Sequence, residues 1–210
     1  MARGLPSILL NVVVEPPYQA DRPRHARDTE AGSAWPSTAA SDRGLGRPVE
    51  LITAFCDKIA ELRPQLVTFN GNSFDLPVLR YRAMVHGVSA PGLSARPYFH
   101  RYSEDAIDLC DVFSSFSPQG KATLHEISRV MGLPGKPKGI DGGEVERYFR
   151  EGKIKEVADY CETDVVGTYQ VWLRYELFRG TLSRDAFEAS ERNLADFMNA
   201  RIVKEYLSLS

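Results

Sequence analysis

The run Ile8-Leu-Leu-Asn-Val-Val-Val14 is β-branched and almost continuously apolar, the pattern of a strand buried on both faces of a parallel or mixed sheet. From Glu15 to Pro48 that regularity is lost among Pro, Gly, Ser, Arg and Asp, which predicts an irregular loop or ragged hairpin around Trp35. Helical spacing returns after Pro48: Ile52, Phe55, Ile59 and Leu62 recur on one side, and Pro64 marks the end. Leu66-Val-Thr-Phe-Asn70 has strand composition and Gly71-Asn72-Ser73 makes a turn. Asp75-Leu-Pro77 then opens a helix running to Gly87, with Asp75 suited to the N-cap and Pro77 to an early position where no N–H is needed. The predicted unit is strand, glycine-bearing loop, helix.

Further along, Ala106 to Val112 reads as another short strand, and Thr123-Leu-His-Glu126 has the spacing of a capping box opening a helix through Met131. Gly132 to Gly143 holds too many glycines and prolines for a helix and reads as loop. A short helix is expected over Glu144–Arg150. A long one follows over Lys153–Arg179, with Ile154, Val157, Val165, Tyr169, Trp172 and Leu173 apolar and Gly180 as its stop. The C-terminal helix, 183–207, is amphipathic, with Phe187, Leu194, Phe197 and Ile202 on one side. Alternation of strands with helices makes this an α/β chain, and there are no internal repeats.

Composition narrows the picture. With 210 residues, 43% hydrophobic and 26% charged, the chain is expected to form a single globular domain, 1–210. No apolar run approaches the roughly 20 residues that span a bilayer, and Glu15-Pro16-Pro17 follows the N-terminal apolar stretch where a signal peptide would carry small residues, so no membrane association and a cytoplasmic location are expected. Cys56, Cys110 and Cys161 are odd in number and widely spaced, which predicts free thiols rather than a disulfide framework or zinc knuckle. A net charge of −2 weighs against a protein that coats duplex nucleic acid, but not against an enzyme that grips a few nucleotides.

Two constellations carry chemistry. Asn70-Gly-Asn-Ser-Phe74-Asp75 puts a carboxylate at the outlet of a buried strand and the mouth of a helix, where α/β sheets place ligands. Tyr160-Cys-Glu-Thr-Asp164 sets a phenol and a carboxylate one turn apart on one helix face, a pair able to hold a hard divalent cation and orient a water. Taken singly, Asp75 is an N-cap and Tyr160 with Asp164 an amphipathic surface. Together, and in order, they match the N-x-x-x-[FY]-D and Y-x-x-x-D motifs of the tyrosine-bearing subclass of DEDD exonucleases. The run Pro64 to Ala83, Ile107 to Val112, Met131 to Lys136 and Asp159 to Val166 extend the likeness. From Pro48 to about Leu194 the chain resembles the predicted bacterial 3′→5′ exonucleases related to the proofreading exonuclease domain of family-B DNA polymerases.

That resemblance implies a ribonuclease H-like mixed sheet flanked by helices. It also implies two-metal hydrolysis, with Mg²⁺ or Mn²⁺, of phosphodiesters at the 3′ end of single-stranded or frayed DNA. Asp75 and Asp164 would be metal-binding catalytic carboxylates, Tyr160 would hydrogen-bond the attacking water, and Asn70 and Phe74 would line the pocket for the terminal nucleotides. The chain departs from the family in its first motif, a D-x-E on a central strand. Asp28-Thr29-Glu30 spells it only in a polar loop, and Glu15 follows the Val12–Val14 run with Val13 where the Asp should stand. Ile8–Val14 therefore reads as the second strand, with the first central strand missing or replaced. Either the reading frame is truncated, or the protein is a catalytically inactive single-stranded nucleic-acid-binding module. Asp108 and Asp111 read as caps or solvated residues, and Lys136 and Lys138 as part of a solvated loop. His25, His86, His100 and His125 show no metal-ligand spacing.

Overall fold

The computed structural model describes the backbone of residues 13–14, 48–135 and 144–208, and the side chains of 49–135 and 144–200. Ile8–Val12, the expected loop around Trp35, Glu15, Asp28-Thr29-Glu30, Lys136 and Lys138 lie outside the described residues. Within them the chain is a helix-dominated mixed α/β structure. Strand β1 (Val13–Val14) is followed by α1 (Pro48–Leu62), β2 (Leu66–Thr68), α2 (Asp75–Val85), α3 (Pro91–Ser94), β3 (Ala106–Asp108) and α4 (Leu109–Phe113). A 3₁₀ turn at Pro118–Gly120 leads to α5 (Leu124–Val130), α6 (Val145–Arg150), α7 (Ile154–Arg179) and α8 (Arg184–Ser208).

The three described strands form one sheet in the order β1-β2-β3. Strand β1 runs antiparallel to β2, with Val13 opposite Val67, and β2 runs parallel to β3, with Thr68 opposite Asp108. Every residue of β2 and β3 is buried, as their apolar composition requires of strands covered on both faces.

The described residues group into two compact units, one within 13–169 and the other within 170–208. In the first, Ile52, Cys56 and Ile59 of α1 pack with Leu66, with Leu76 and Leu79 of α2, and with Leu93 and Tyr98. Tyr98 is fully buried and satisfies its hydroxyl by donating to the Pro64 carbonyl at 2.7 Å. Helix α3 crosses α1 at Gly92, where a Cβ would stand 2.5 Å from that of Ala60, so only glycine permits this approach. In the second unit Phe187 of α8 is buried beneath the guanidinium groups of Arg174 and Arg184, and Arg174 pairs with Glu191 at 3.1 Å.

Several elements differ from the sequence pattern. Phe74, not Asp75, is the N-cap of α2 and makes no side-chain capping bond, while Asp75 is the first helical residue. Ala106–Val112 is not one strand: Asp108 ends β3 and caps α4 by accepting from the Cys110 and Asp111 amides. A β-to-α junction at an aspartate won over a short apolar run that either element could claim. Phe197 is 55% exposed and does not join Phe187 on a buried face, and Ile202 lies outside the residues whose side chains are described. The capping box at Thr123 and Glu126 is present as expected, with the Glu126 amide donating to Thr123 Oγ1 and the Thr123 amide to the Glu126 carboxylate. Gly180, at φ 73°, follows the last residue of α7.

Candidate active site

Strand β2 ends in a tight turn that presents Asn70 with φ 67°, a left-handed conformation that asparagine tolerates better than most residues. Its carbonyl accepts from the Ser73 and Phe74 amides at 3.2 and 3.1 Å, and the Gly71 carbonyl accepts from Leu76, which leads the turn into α2. A Cβ on Gly71 would stand 2.4 Å from Thr68 Oγ1, so the loop folds back on its own strand only with glycine there. From the neighbouring strand, Asp108 reaches across. Its Oδ1 accepts from the Asn70 amide at 2.7 Å and its Oδ2 from the Asn72 amide at 2.9 Å, while the same side chain caps α4. Burial pushes the Asp108 carboxyl above its usual range, against the opposing pull of the Asn72 and Asn70 N–H bonds. Asp108 is thus a structural clamp on the turn.

Asp111, in the first turn of α4, has no exposed surface. It accepts two bonds from Arg101, at 2.9 and 2.7 Å, pairs with Lys121 at 3.2 Å, and accepts from Asn72 Nδ2 at 3.4 Å. Burial pulls this carboxyl upward, but the bonds from Arg101, Lys121 and Asn72 outweigh it and hold Asp111 below the ordinary carboxylate range. Neither solvation nor simple capping describes this residue.

An open pocket of about 310 Å³ lies above these groups, lined by Phe69 and Asn70 from the β2 outlet, Cys110 from α4, Lys121 to Leu124, and Asp164 from α7. Asp164 is 6% exposed and stands one turn after the half-buried Tyr160. Lys121 spans the floor, its ammonium 3.3 Å from both Asn70 Oδ1 and Ser73 Oγ. Burial pushes the Cys110 thiol up, which leaves it a packing group rather than a nucleophile. The three cysteines are free, as their spacing predicts.

The pocket therefore brings together Asn70 and Asp164 of the five residues singled out in the sequence. Asp75, Phe74 and Tyr160 are not among its lining residues. Asp75 is buried in the first turn of α2, and Phe74 beside it is 61% exposed. Lys121 was not legible as a site residue, because nothing in the local pattern before the Thr123 cap sets this lysine apart. Gly167 does not act as a close-approach residue: a Cβ there would meet Leu124 Cδ2 at 3.7 Å, an ordinary contact. Among the described residues no group of three or more His, Cys, Asp or Glu side chains is placed to hold a metal ion.

Residues 41–209 match a family described as predicted 3′-5′ exonucleases related to the exonuclease domain of PolB. A DNA polymerase epsilon catalytic chain of Arabidopsis thaliana is 31% identical over 136 residues, covering 60% of this chain and 6% of that protein. The corresponding catalytic chains of the same polymerase are 27% identical over 140 residues in Saccharomyces cerevisiae and 31% over 138 residues in Schizosaccharomyces pombe, with the same coverage of 60% and 6%. The chain spans about 6% of the length of these relatives. No solved structure matches it.

Proposed function

This chain belongs to the predicted 3′-5′ exonucleases related to the exonuclease domain of PolB, and we propose that it is a 3′→5′ exonuclease of ribonuclease H-like fold that takes a single-stranded or frayed 3′ DNA end into the Asn70–Lys121–Asp164 pocket. The observation that carries this reading is the meeting in one pocket of Asn70, from the N-x-x-x-F-D segment, and Asp164, from the Y-x-x-x-D segment. Two motifs far apart in sequence converge where an α/β sheet receives ligands, at the outlet of a parallel strand. In this reading Asn70 Oδ1 and the Lys121 ammonium meet the sugar and phosphate of the terminal nucleotide, and the exposed Phe74 ring packs against the next. Tyr160, one helical turn before Asp164, is the group this reading assigns to the attacking water.

The cofactor that goes with this chemistry is a pair of Mg²⁺ or Mn²⁺ ions, which would activate water and steady the leaving oxygen, with Asp75 and Asp164 as the carboxylates this chain contributes. The described residues fall short of such a site, since no third acidic, histidine or cysteine side chain joins a pair of them. The same shortfall favours a second reading, a strand-binding module without hydrolysis. No helix among the described residues is long and apolar enough to cross a membrane. A cytoplasmic location is part of the proposal and rests on sequence.

The experiment is incubation of a 5′-labelled single strand with the chain and Mn²⁺ or Mg²⁺, beside Asp164→Ala. We expect binding with slow, metal-dependent shortening that Asp164→Ala removes. Binding with no shortening at all selects the module, and failure to bind at low salt removes both readings.

A further inference from the structure

The buried Asp111 carboxylate organises more than the pocket floor. It holds two cations, Lys121 inside the pocket and Arg101 outside it, at 3.2 and 2.7 Å. Charge is layered here: the Asp108 and Asp111 carboxylates are buried, while the Arg101 and Lys121 side chains are 44% and 26% exposed. Of these four groups, the two that reach solvent are cations. Beneath Arg101 lies the Phe116 ring, its centroid 6.0 Å from the guanidinium carbon, and Tyr102 packs against Phe116 with centroids 4.9 Å apart and planes at 57°. Phe116 is half-buried beneath Arg101, while Tyr102, packed against it, is 72% exposed and contributes little to a core.

The backbone at Phe116 is strained. Ser115 and Phe116 stand in succession at φ 51° and 60°, a left-handed conformation that ordinary residues rarely adopt. The Ser115 amide donates to the Val112 carbonyl and the Phe116 amide to the Asp111 carbonyl at 2.7 Å, which pins the strained pair to α4. Strain that holds the Phe116 ring under Arg101 and against Tyr102 is of the kind retained at functional sites.

We propose that Arg101, Tyr102 and Phe116 form a stacking shelf for a base upstream of the 3′-terminal nucleotide, with Arg101 and Lys121 countering the intervening phosphates. The occupant is single-stranded DNA because two outward cations beside the exposed Tyr102 ring, backed by Phe116, match a strand's phosphates and bases, and any base offers a π-face to Tyr102. The inference rests on the proposed reading that a 3′ end enters the pocket. Its path is continuous: Lys121 lines the pocket and shares Asp111 with Arg101, which covers Phe116.

The test measures binding of fluorescein-labelled dT8 by anisotropy, and of unlabelled dT2 by competition, to the chain, Tyr102→Ala and Phe116→Asn. Asparagine keeps the left-handed backbone while removing the ring, and Tyr102 is exposed enough to truncate without disturbing the core. We expect each variant to bind dT8 about tenfold more weakly, the order of one lost stacked base, and dT2 within twofold of the parent. Unchanged dT8 affinity in both variants, with dT2 still bound, overturns the shelf and leaves the pocket reading standing. Equal loss for dT2 and dT8 also overturns the shelf. If the parent chain binds neither probe, the pocket reading fails and the shelf fails with it.

Discussion

Asp111 concentrates the electrostatics of the site in one side chain. A buried carboxylate held by two cations and an amide is stable only while charged, since removing one partner of a buried pair leaves the others uncompensated. Its carboxyl is depressed in the folded chain, so its contribution is fully present above the unfolded value near pH 4 and is lost as pH falls through the lower native value. Asp111→Asn should therefore cost on the order of 2–4 kcal/mol at neutral pH, the lower part of the range reflecting the solvent-facing half of Arg101. Urea unfolding followed by far-UV circular dichroism checks it: the gap between parent and variant should close as pH is taken well below 4. A constant gap across pH would mean that packing, not charge, holds the site. Much of this cluster was hidden in the sequence. Asp111 read as a cap or a solvated acid because its partners, Arg101, Lys121 and Asn72, come from three separate segments, and no local spacing links them. Asn70 and Asp164 were legible because each belongs to a short motif whose chemistry is local.

The helices show which patterns a one-dimensional reading resolves. Helix α1 and the capping box of α5 follow from spacing and from side chains that bond their own backbone. The α2 start and the β3–α4 junction do not. Asp75 has cap chemistry, yet it sits one residue inside the helix and is buried, whereas Asp108 lies within an apolar run and caps. At α2 the turn bonds to the Asn70 and Gly71 carbonyls start the helix one residue earlier than cap propensity favours, and at β3–α4 the cap is the residue that also clamps the Asn70 and Asn72 amides. Glycines divide in the same way. Gly167 has room for a methyl group, so Gly167→Ala should raise stability by up to about 1 kcal/mol through helix propensity. Gly92 has none, and Gly92→Ala should cost about 1–3 kcal/mol by forcing α3 away from Ala60. Thermal unfolding of both variants should move in opposite directions. A Gly167→Ala variant that unfolds earlier than the parent would show that α7 packs more tightly against Leu124 than its 3.7 Å spacing implies.

For the whole chain, a net charge of −2 coexists with a local outward display of Arg101 and Lys121, so the proposed strand binding would draw on a few local contacts and not on a bulk field. The two phosphate contacts of that proposal predict a shallow salt dependence: log K should fall against log[KCl] with a slope of about −1 to −2 for a single strand, and Lys121→Ala should reduce its magnitude by about 0.7. Anisotropy titrations of dT8 across KCl concentrations measure both, and a slope beyond about −4 would reveal a far broader basic track. The α/β class was legible from alternating strand and helix patterns, while the sheet order and the pocket's composition required long-range pairing to be seen. The Asp108 clamp carries a further consequence, for the order of events in folding. The amides of Asn70 and Asn72 find their acceptor 38 and 36 residues away. Until the crossover from β2 to β3 closes, those two amides have only water to bond, and closing so long a loop is the entropically expensive step of a parallel pairing. Nucleotide-binding competence should then appear in the same kinetic phase as native sheet formation, so a refolding intermediate with its helices already in place would still be blind to DNA.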